Sequence, residues 1–265
     1  KRMNKINIFM FAISIFCLIP TISFSKPLDD SIIKIIESNH RSDNNKLRDK
    51  YRNPKETLEF FGLKKEMSLV EITPGRGWYT EILAPFMKDQ GKFYVVIYKN
   101  TTIPYLKKLN KIFVDKLAQN PELYSEVNVL RADQKKPKFN IKDKVDMVLT
   151  FRNVHNWAKG GSAEVMFNSF FNSLKRGGIL GVIDHRALPN TSFSNQIKSG
   201  YMTEKYVLDL AKKVGFKFIE SSDINNNIAD KKNYPGGVWT LLPNLRGLNQ
   251  IEKKEFSNIG ESDRM

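Results

Sequence analysis

Two stretches of the chain hold residue types that can do chemistry. In the first, VEITPGRGWYTEIL (residues 70–83), an acid, Glu71, is followed by Gly75 and Gly77. Glycine reaches positive φ without steric cost and leaves room above its backbone, so such a turn can press main-chain amides against a ligand where a helix begins. The same pair also suits a plain tight turn, and Glu71 a local salt bridge. A nicotinamide-binding fingerprint needs a third glycine three positions after Gly77, where Thr80 stands, which argues against a dehydrogenase. The second stretch holds two of the chain's three histidines, His40, His155 and His185. His155, in FRNVHNW, has the chemistry of a general base for a hydroxyl or amine, with Asn153, Asn156 and Trp157 shaping its surroundings; the alternative is a structural loop histidine. His155, Asp184 and His185 offer imidazole and carboxylate groups suited to a divalent ion, but their spacing is irregular and no fourth ligand is evident, so no metal is expected. Trp78 and Tyr79 have faces that attract a cation, yet at helical spacing they read as core.

These residues need a frame to gather them. Apolar runs at 69–72, 93–97, 127–130, 145–149 and 179–183 predict strands, and 216–219 predicts a sixth. Between them, 77–87, 163–174 and 203–214 carry apolar residues at helical spacing, with Pro85 expected to kink or end the first helix, and Ser162 and Gly177 expected to cap and stop the second. Upstream, Asn53, Pro54 and Glu56 predict a helix start with the Asn53 side chain as cap, and Gly62 its close. Before that, Ile32, Ile33, Ile35 and Ile36 predict one helix followed by a polar arm. The alternation implies an α/β fold with a doubly wound, mostly parallel sheet. Such sheets bind ligands at the carboxyl ends of their strands, near the point where strand order reverses.

Residues 70–83 resemble motif I of class I S-adenosylmethionine-dependent methyltransferases. Together with RNPKETLEFFGL (52–63), RAD (131–133) and GVIDHRA (181–187), they make the chain similar to a group of exported bacterial methyltransferase homologues over roughly residues 41–265. The resemblance implies a Rossmann-like methyltransferase fold with S-adenosylmethionine as cofactor. Glu71, Gly75 and Gly77 match positions that contact the methionine moiety, with Thr73 in place of the motif's first glycine. Asp133 matches a position that bonds the adenine amino group, its other reading being a solvated loop acid. Ile97 and Tyr98 stand where an acid grips the ribose, and Asn153 joins the cofactor-facing set after the fourth strand. Methyl transfer from a sulfonium is an in-line displacement that needs alignment and a modest base, the role for which His155 is the candidate. The loop lacks the acid or amide followed by two prolines and an aromatic residue that marks many nucleic-acid amino methyltransferases, so a small-molecule or cell-envelope acceptor is expected. In the look-alike group a segment like IGESDRM (259–265) runs into a last antiparallel strand, which is expected to be missing here and to leave strand six with an unpaired edge. The competing reading, an exported binding or scaffold protein of the cell envelope that keeps the fold without the chemistry, rests on Thr73, the missing ribose acid and export to a compartment where the cofactor is not expected to be abundant.

A chain of 265 residues fits one α/β domain: a helical arm over 26–52, the domain over 53–243 and a tail over 244–265. Before these, Lys1, Arg2 and Lys5, an apolar run over 6–19 and Ser23-Phe24-Ser25 form a signal-peptide pattern over 1–25. The run is shorter than the about 20 residues that a membrane span needs, so cleavage, a periplasmic or secreted location and no stable anchor are expected. The sole cysteine, Cys17, lies in that leader, which removes disulfides, a thiolate nucleophile and cysteine metal ligands from the rest. The formal charge is +15, and without the three leader cations 40 basic residues face 28 acidic ones, or +12. The excess favours anionic partners in general. The basic residues are scattered without an aromatic-interleaved stripe, so nucleic acid is not an expected partner.

Overall fold

The structure, a computed structural model, describes residues 28–265, so the leader and the first two residues of the arm lie outside it. Helices α1 (Ser31–Glu37), α2 (Asp43–Lys46), α3 (Asp49–Arg52) and α4 (Pro54–Phe60) precede β1 (Ser68–Ile72). Then come α5 (Thr80–Met87), β2 (Lys92–Tyr98), α6 (Pro104–Gln119), α7 (Pro121–Tyr124), β3 (Asn128–Ala132) and β4 (Val145–Phe151). The chain continues with α8 (Val154–Lys159), α9 (Ala163–Ser173), β5 (Leu174–Ile183), α10 (Phe193–Ser199), α11 (Glu204–Lys213), a 3-10 turn (Gly237–Thr240) and α12 (Gln250–Ser257).

The five strands lie in the order β3-β2-β1-β4-β5, and every neighbouring pair is parallel. Successive side chains alternate between the faces, and helices cover both. Leu69, Val95, Ile97, Met147 and Leu149 join the core under α5, with Ile82, Leu83 and Phe86. Val70, Ile72, Val96 and Val148 join the opposite core, with Phe167 and Phe170 of α9. Burial on both sides is why β1, β2 and β4 read as mainly apolar runs, while the edge strands β3 and β5 are more exposed. β1 pairs with β2 on one side and β4 on the other, so the strand order reverses between β1 and β4.

Several local expectations fail for identifiable reasons. Residues 216–219 form no strand: the Phe216 amide donates to the Ala211 carbonyl at the end of α11 at 3.1 Å, no strand lies beside the segment among the described residues, and Phe218 and Ile219 are 61% and 87% exposed. Among the described residues the sheet holds five parallel strands, with no antiparallel strand after the fifth. Asn53, at φ +37°, does not cap α4: its Nδ2 donates instead to the Ile224 carbonyl at 2.7 Å. Ser162 Oγ finds no partner among the described residues, and Gly177 sits in the irregular start of β5 rather than at a helix stop. The helix expected from 77 begins at Thr80, because Gly75 and Gly77 adopt φ of +64° and +77° in the turn before it.

Pro85 does not end α5, which runs on to Met87. Proline lacks the N–H that would reach the carbonyl four residues back. That carbonyl, Glu81 O, is bonded instead by His40 Nε2 at 2.8 Å. The Glu81 carboxylate meanwhile accepts two bonds from Asn45 Nδ2 and pairs with Arg41 and Lys116, so the arm is fastened to the helix through one residue. Replacing His40 with Ala is expected to lower stability by about 1–2 kcal/mol through the orphaned carbonyl, measured by urea denaturation. The His40→Gln variant, which keeps a donor, recovers part of the loss.

Candidate functional site

β1 ends in a turn with three left-handed residues: Thr73 at φ +47°, Gly75 at +64° and Gly77 at +77°. For a β-branched threonine this region is a true outlier, and such strain persists only where the surroundings enforce it. Here the Thr73 amide donates to Val96 O at 2.8 Å, and Asn153 Nδ2 donates to Ile72 O at 3.1 Å. The two glycines differ in what lies above them. Among the described residues, a Cβ on Gly75 meets no heavy atom within 4 Å, so its face is open, whereas a Cβ on Gly77 meets the Phe113 ring of α6 at 3.1 Å. The room expected above Gly77 is therefore filled by packing.

Strand parity places Glu71 on the α5 face, 1% exposed, where its carboxylate accepts the Thr80 hydroxyl at 2.6 Å. Burial pushes its pKa up to about 7, outweighing the Thr80 bond and the more distant Lys116. At the end of β2 the Tyr98 hydroxyl accepts from Trp157 Nε1 at 3.1 Å, and burial raises its pKa. Asn153 also reaches Thr150 Oγ1 and the Phe151 carbonyl, so one amide fastens the β1 and β4 loops across the reversal. Asp133 stands apart at the end of β3. It is exposed, and its Oδ1 accepts the Lys135 and Lys136 amides at 2.8 and 3.0 Å, bonds that lower its pKa. Trp78 and Tyr79 are core: two guanidiniums, Arg41 and Arg52, lie against the first, and the second stacks on Phe151 at 3.6 Å.

Just past β5, Asp184 is completely buried. Its Oδ2 accepts the His155 amide at 3.0 Å, while its Oδ1 accepts the His185 amide at 2.8 Å and lies 2.9 Å from His155 Nδ1. A carboxylate taking main-chain N–H groups acts as an acceptor, so the His155 proton sits on Nδ1 and the lone pair on Nε2. His185 packs 5.1 Å from the His155 ring and bonds Ser262 Oγ; burial, with His155 and Arg152 nearby, lowers its pKa well below the usual histidine value. His155, Asp184 and His185 do converge, with ligand atoms within 4.8 Å of one another. Both Asp184 oxygens are engaged by N–H groups, an arrangement that suits an orienting carboxylate better than a metal ligand.

Over the rim lies a group that sequence reasoning missed. Glu261, 1% exposed, is bonded by Arg48, Arg52 and Arg264, with Arg152 close by. Burial alone would raise its pKa, but the guanidiniums of Arg264, Arg52, Arg152 and Arg48 outweigh that and hold it far below the carboxylate range. A void of about 20 Å³ remains between Arg52, Glu71, Thr73, Tyr79, Phe151 and Arg152. That is room for a single water, against the hundreds of Å³ of a ligand pocket. The rim is thus closed on its arginine side and open at Gly75. The one sequence signal was local, the four-residue spacing of Arg48 and Arg52 and the three-residue spacing of Glu261 and Arg264.

No family model and no curated protein sequence matches the chain. In three dimensions it is similar to a SAM-dependent methyltransferase from Aquifex aeolicus, with a TM-score of 0.52 at 18% identity, covering 71% of this chain and 89% of that one. A methyltransferase-like structure from Bacillus halodurans, described as putative, gives 0.48 at 16% identity, covering 64% and 71%. The fold likeness rests on the first of these, and what it establishes is a shared Rossmann-like methyltransferase architecture.

The buried Glu71 has a measurable signature. Its folded pKa, about 7, lies above the ordinary 4.5, so the folded state keeps a proton that the unfolded chain releases, and stability falls as pH rises from about 4.5 to about 7. Glu71→Gln removes that loss. In urea titrations the variant is expected to gain on the parent by up to about 3 kcal/mol between pH 5 and pH 8.

Proposed function

We propose that this chain is an S-adenosylmethionine-dependent methyltransferase acting on a small molecule or cell-envelope component. One observation carries the reading: the left-handed turn at Thr73, Gly75 and Gly77 opens at the strand-order reversal, with Glu71 beneath it and the His155–Asp184 pair beyond β4. The chain's own residues suit the cofactor, since Gly75 leaves an uncovered face and Tyr98 brings a hydroxyl to the end of β2. Gly75 and the turn amides would receive the amino-acid end, with Glu71 and Asn153 holding the turn in shape. Tyr98 offers the ribose one hydroxyl where an acid offers two oxygens, which predicts weak binding there. Asp133, with Oδ2 free of the bonds that occupy Oδ1, would meet the adenine amino group. When bound, S-adenosylmethionine supplies an electrophilic methyl group. His155 Nε2 accepts the proton of the acceptor's hydroxyl or amine, and Asp184 fixes the ring and stabilises the imidazolium. Export to the periplasm or medium belongs to the same proposal and is supported by the leader sequence alone.

The closed arginine side favours a second reading, in which the fold is kept for binding without methyl transfer. Calorimetric titration with S-adenosylhomocysteine separates the two. The parent protein is expected to bind it, and Gly75→Asn, which tolerates the left-handed backbone but fills the open face, is expected to weaken binding about tenfold or more. Absence of binding by the folded parent at millimolar ligand removes the methyltransferase reading.

A further inference from the structure

We infer that Arg48, Arg52, Arg152 and Arg264 form an anion-binding position beside Glu261 that takes one carboxylate group of a small ligand. Four guanidiniums share a single carboxylate, an excess of three positive charges in a site largely removed from water. Like charges stripped of solvent are costly unless an anion compensates them. Among the described residues, three buried guanidinium nitrogens, Arg48 Nη2, Arg52 Nη2 and Arg264 Nε, have no hydrogen-bond partner, and Arg52 is only 2% exposed. Arg152 makes no ion pair among the described residues. The other acid on the void is Glu71, which supplies a full negative charge only above about pH 7.

Glu261 shows what this cluster accepts, a planar carboxylate met by guanidinium donors. The void of about 20 Å³ between Arg52 and Arg152 holds one water as it stands, so a carboxylate group, the smallest anionic group of an organic ligand, enters only when the unpaired Arg152 side chain moves aside. Arg48, whose side chain is 20% exposed, lies toward solvent. The ligand is therefore a small molecule with a free carboxylate, either the amino-acid end of the proposed cofactor or a second compound. The inference does not rest on methyl transfer, because a lone carboxylate reports on the arginines by itself.

The test is calorimetric titration of the full chain with sodium acetate at constant ionic strength. One saturable site per chain is expected. Arg152→Met is expected to weaken it about tenfold or more while melting no earlier than the parent, since it removes an unpaired cation. Should that variant fail to fold, Arg152→Gln carries the same expectation. Non-saturable heats, or acetate binding unchanged in the variant, overturn the inference. Repeating the titration with S-adenosylhomocysteine present identifies the source: loss of the acetate signal assigns the position to the cofactor's carboxylate, and persistence assigns it to another ligand. If the chain binds no S-adenosylhomocysteine, the acetate result still stands or falls alone.

Discussion

The reversal of strand order between β1 and β4 is the constraint that organises this molecule. Adjacent parallel strands whose connections leave in opposite directions cannot close their own carboxyl ends, so loops from both sides must meet over the gap. Asn153 makes that meeting definite by donating from one amide to Ile72 and Phe151 carbonyls and to the Thr150 hydroxyl. The strained Thr73 backbone is tolerated because the Val96 carbonyl and Asn153 hold the turn on both sides. One strand further along, Asp184 does for β4 and β5 what Asn153 does for β1 and β4, and in the process it sets the tautomer of His155.

What closes the rim is electrostatic. Segments from opposite ends of the described chain, Arg48–Asn53 and Gly260–Met265, lie over the strand ends and meet through Glu261, while Arg264 Nη1 also donates to the Tyr51 carbonyl. Buried ion pairs of this kind add little net stability but are costly to break from one side, on the order of 3–5 kcal/mol, because the remaining charges stay buried. Arg48, Arg52 and Arg264 hold the roof through Glu261, and Arg152 stands beside them with no ion pair among the described residues. Glu81 plays the matching part for the arm: its carboxylate gathers Arg41, Asn45 and Lys116, and its main-chain carbonyl holds His40.

The sheet was legible in the sequence because burial on both faces keeps β1, β2 and β4 mainly apolar, and the five runs that became strands all have a hydrogen-bonded neighbour. Residues 216–219 have the same composition and no neighbour, so the signal was real and the structure was not. Helix ends were less legible, since tertiary partners outbid local ones: Asn53 turns away from its helix to Ile224, and Pro85 is accommodated by a histidine 45 positions earlier. At the site, the turn and the proximity of His155 to His185 followed from strand positions. The pairing of His155 with Asp184, the occupation of Gly77's free side by Phe113, and an arginine cluster assembled from residues 48 to 264 depend on how distant segments pack, which no local pattern encodes.

The account stands or falls on whether the turn at the reversal receives an adenosyl ligand. A crystal structure of the protein grown with saturating S-adenosylhomocysteine decides this most directly. The account predicts density against the open face of Gly75, with the ribose toward Tyr98. A well-ordered structure with that face bare, or with the ligand bound away from the β1 and β4 loops, contradicts it.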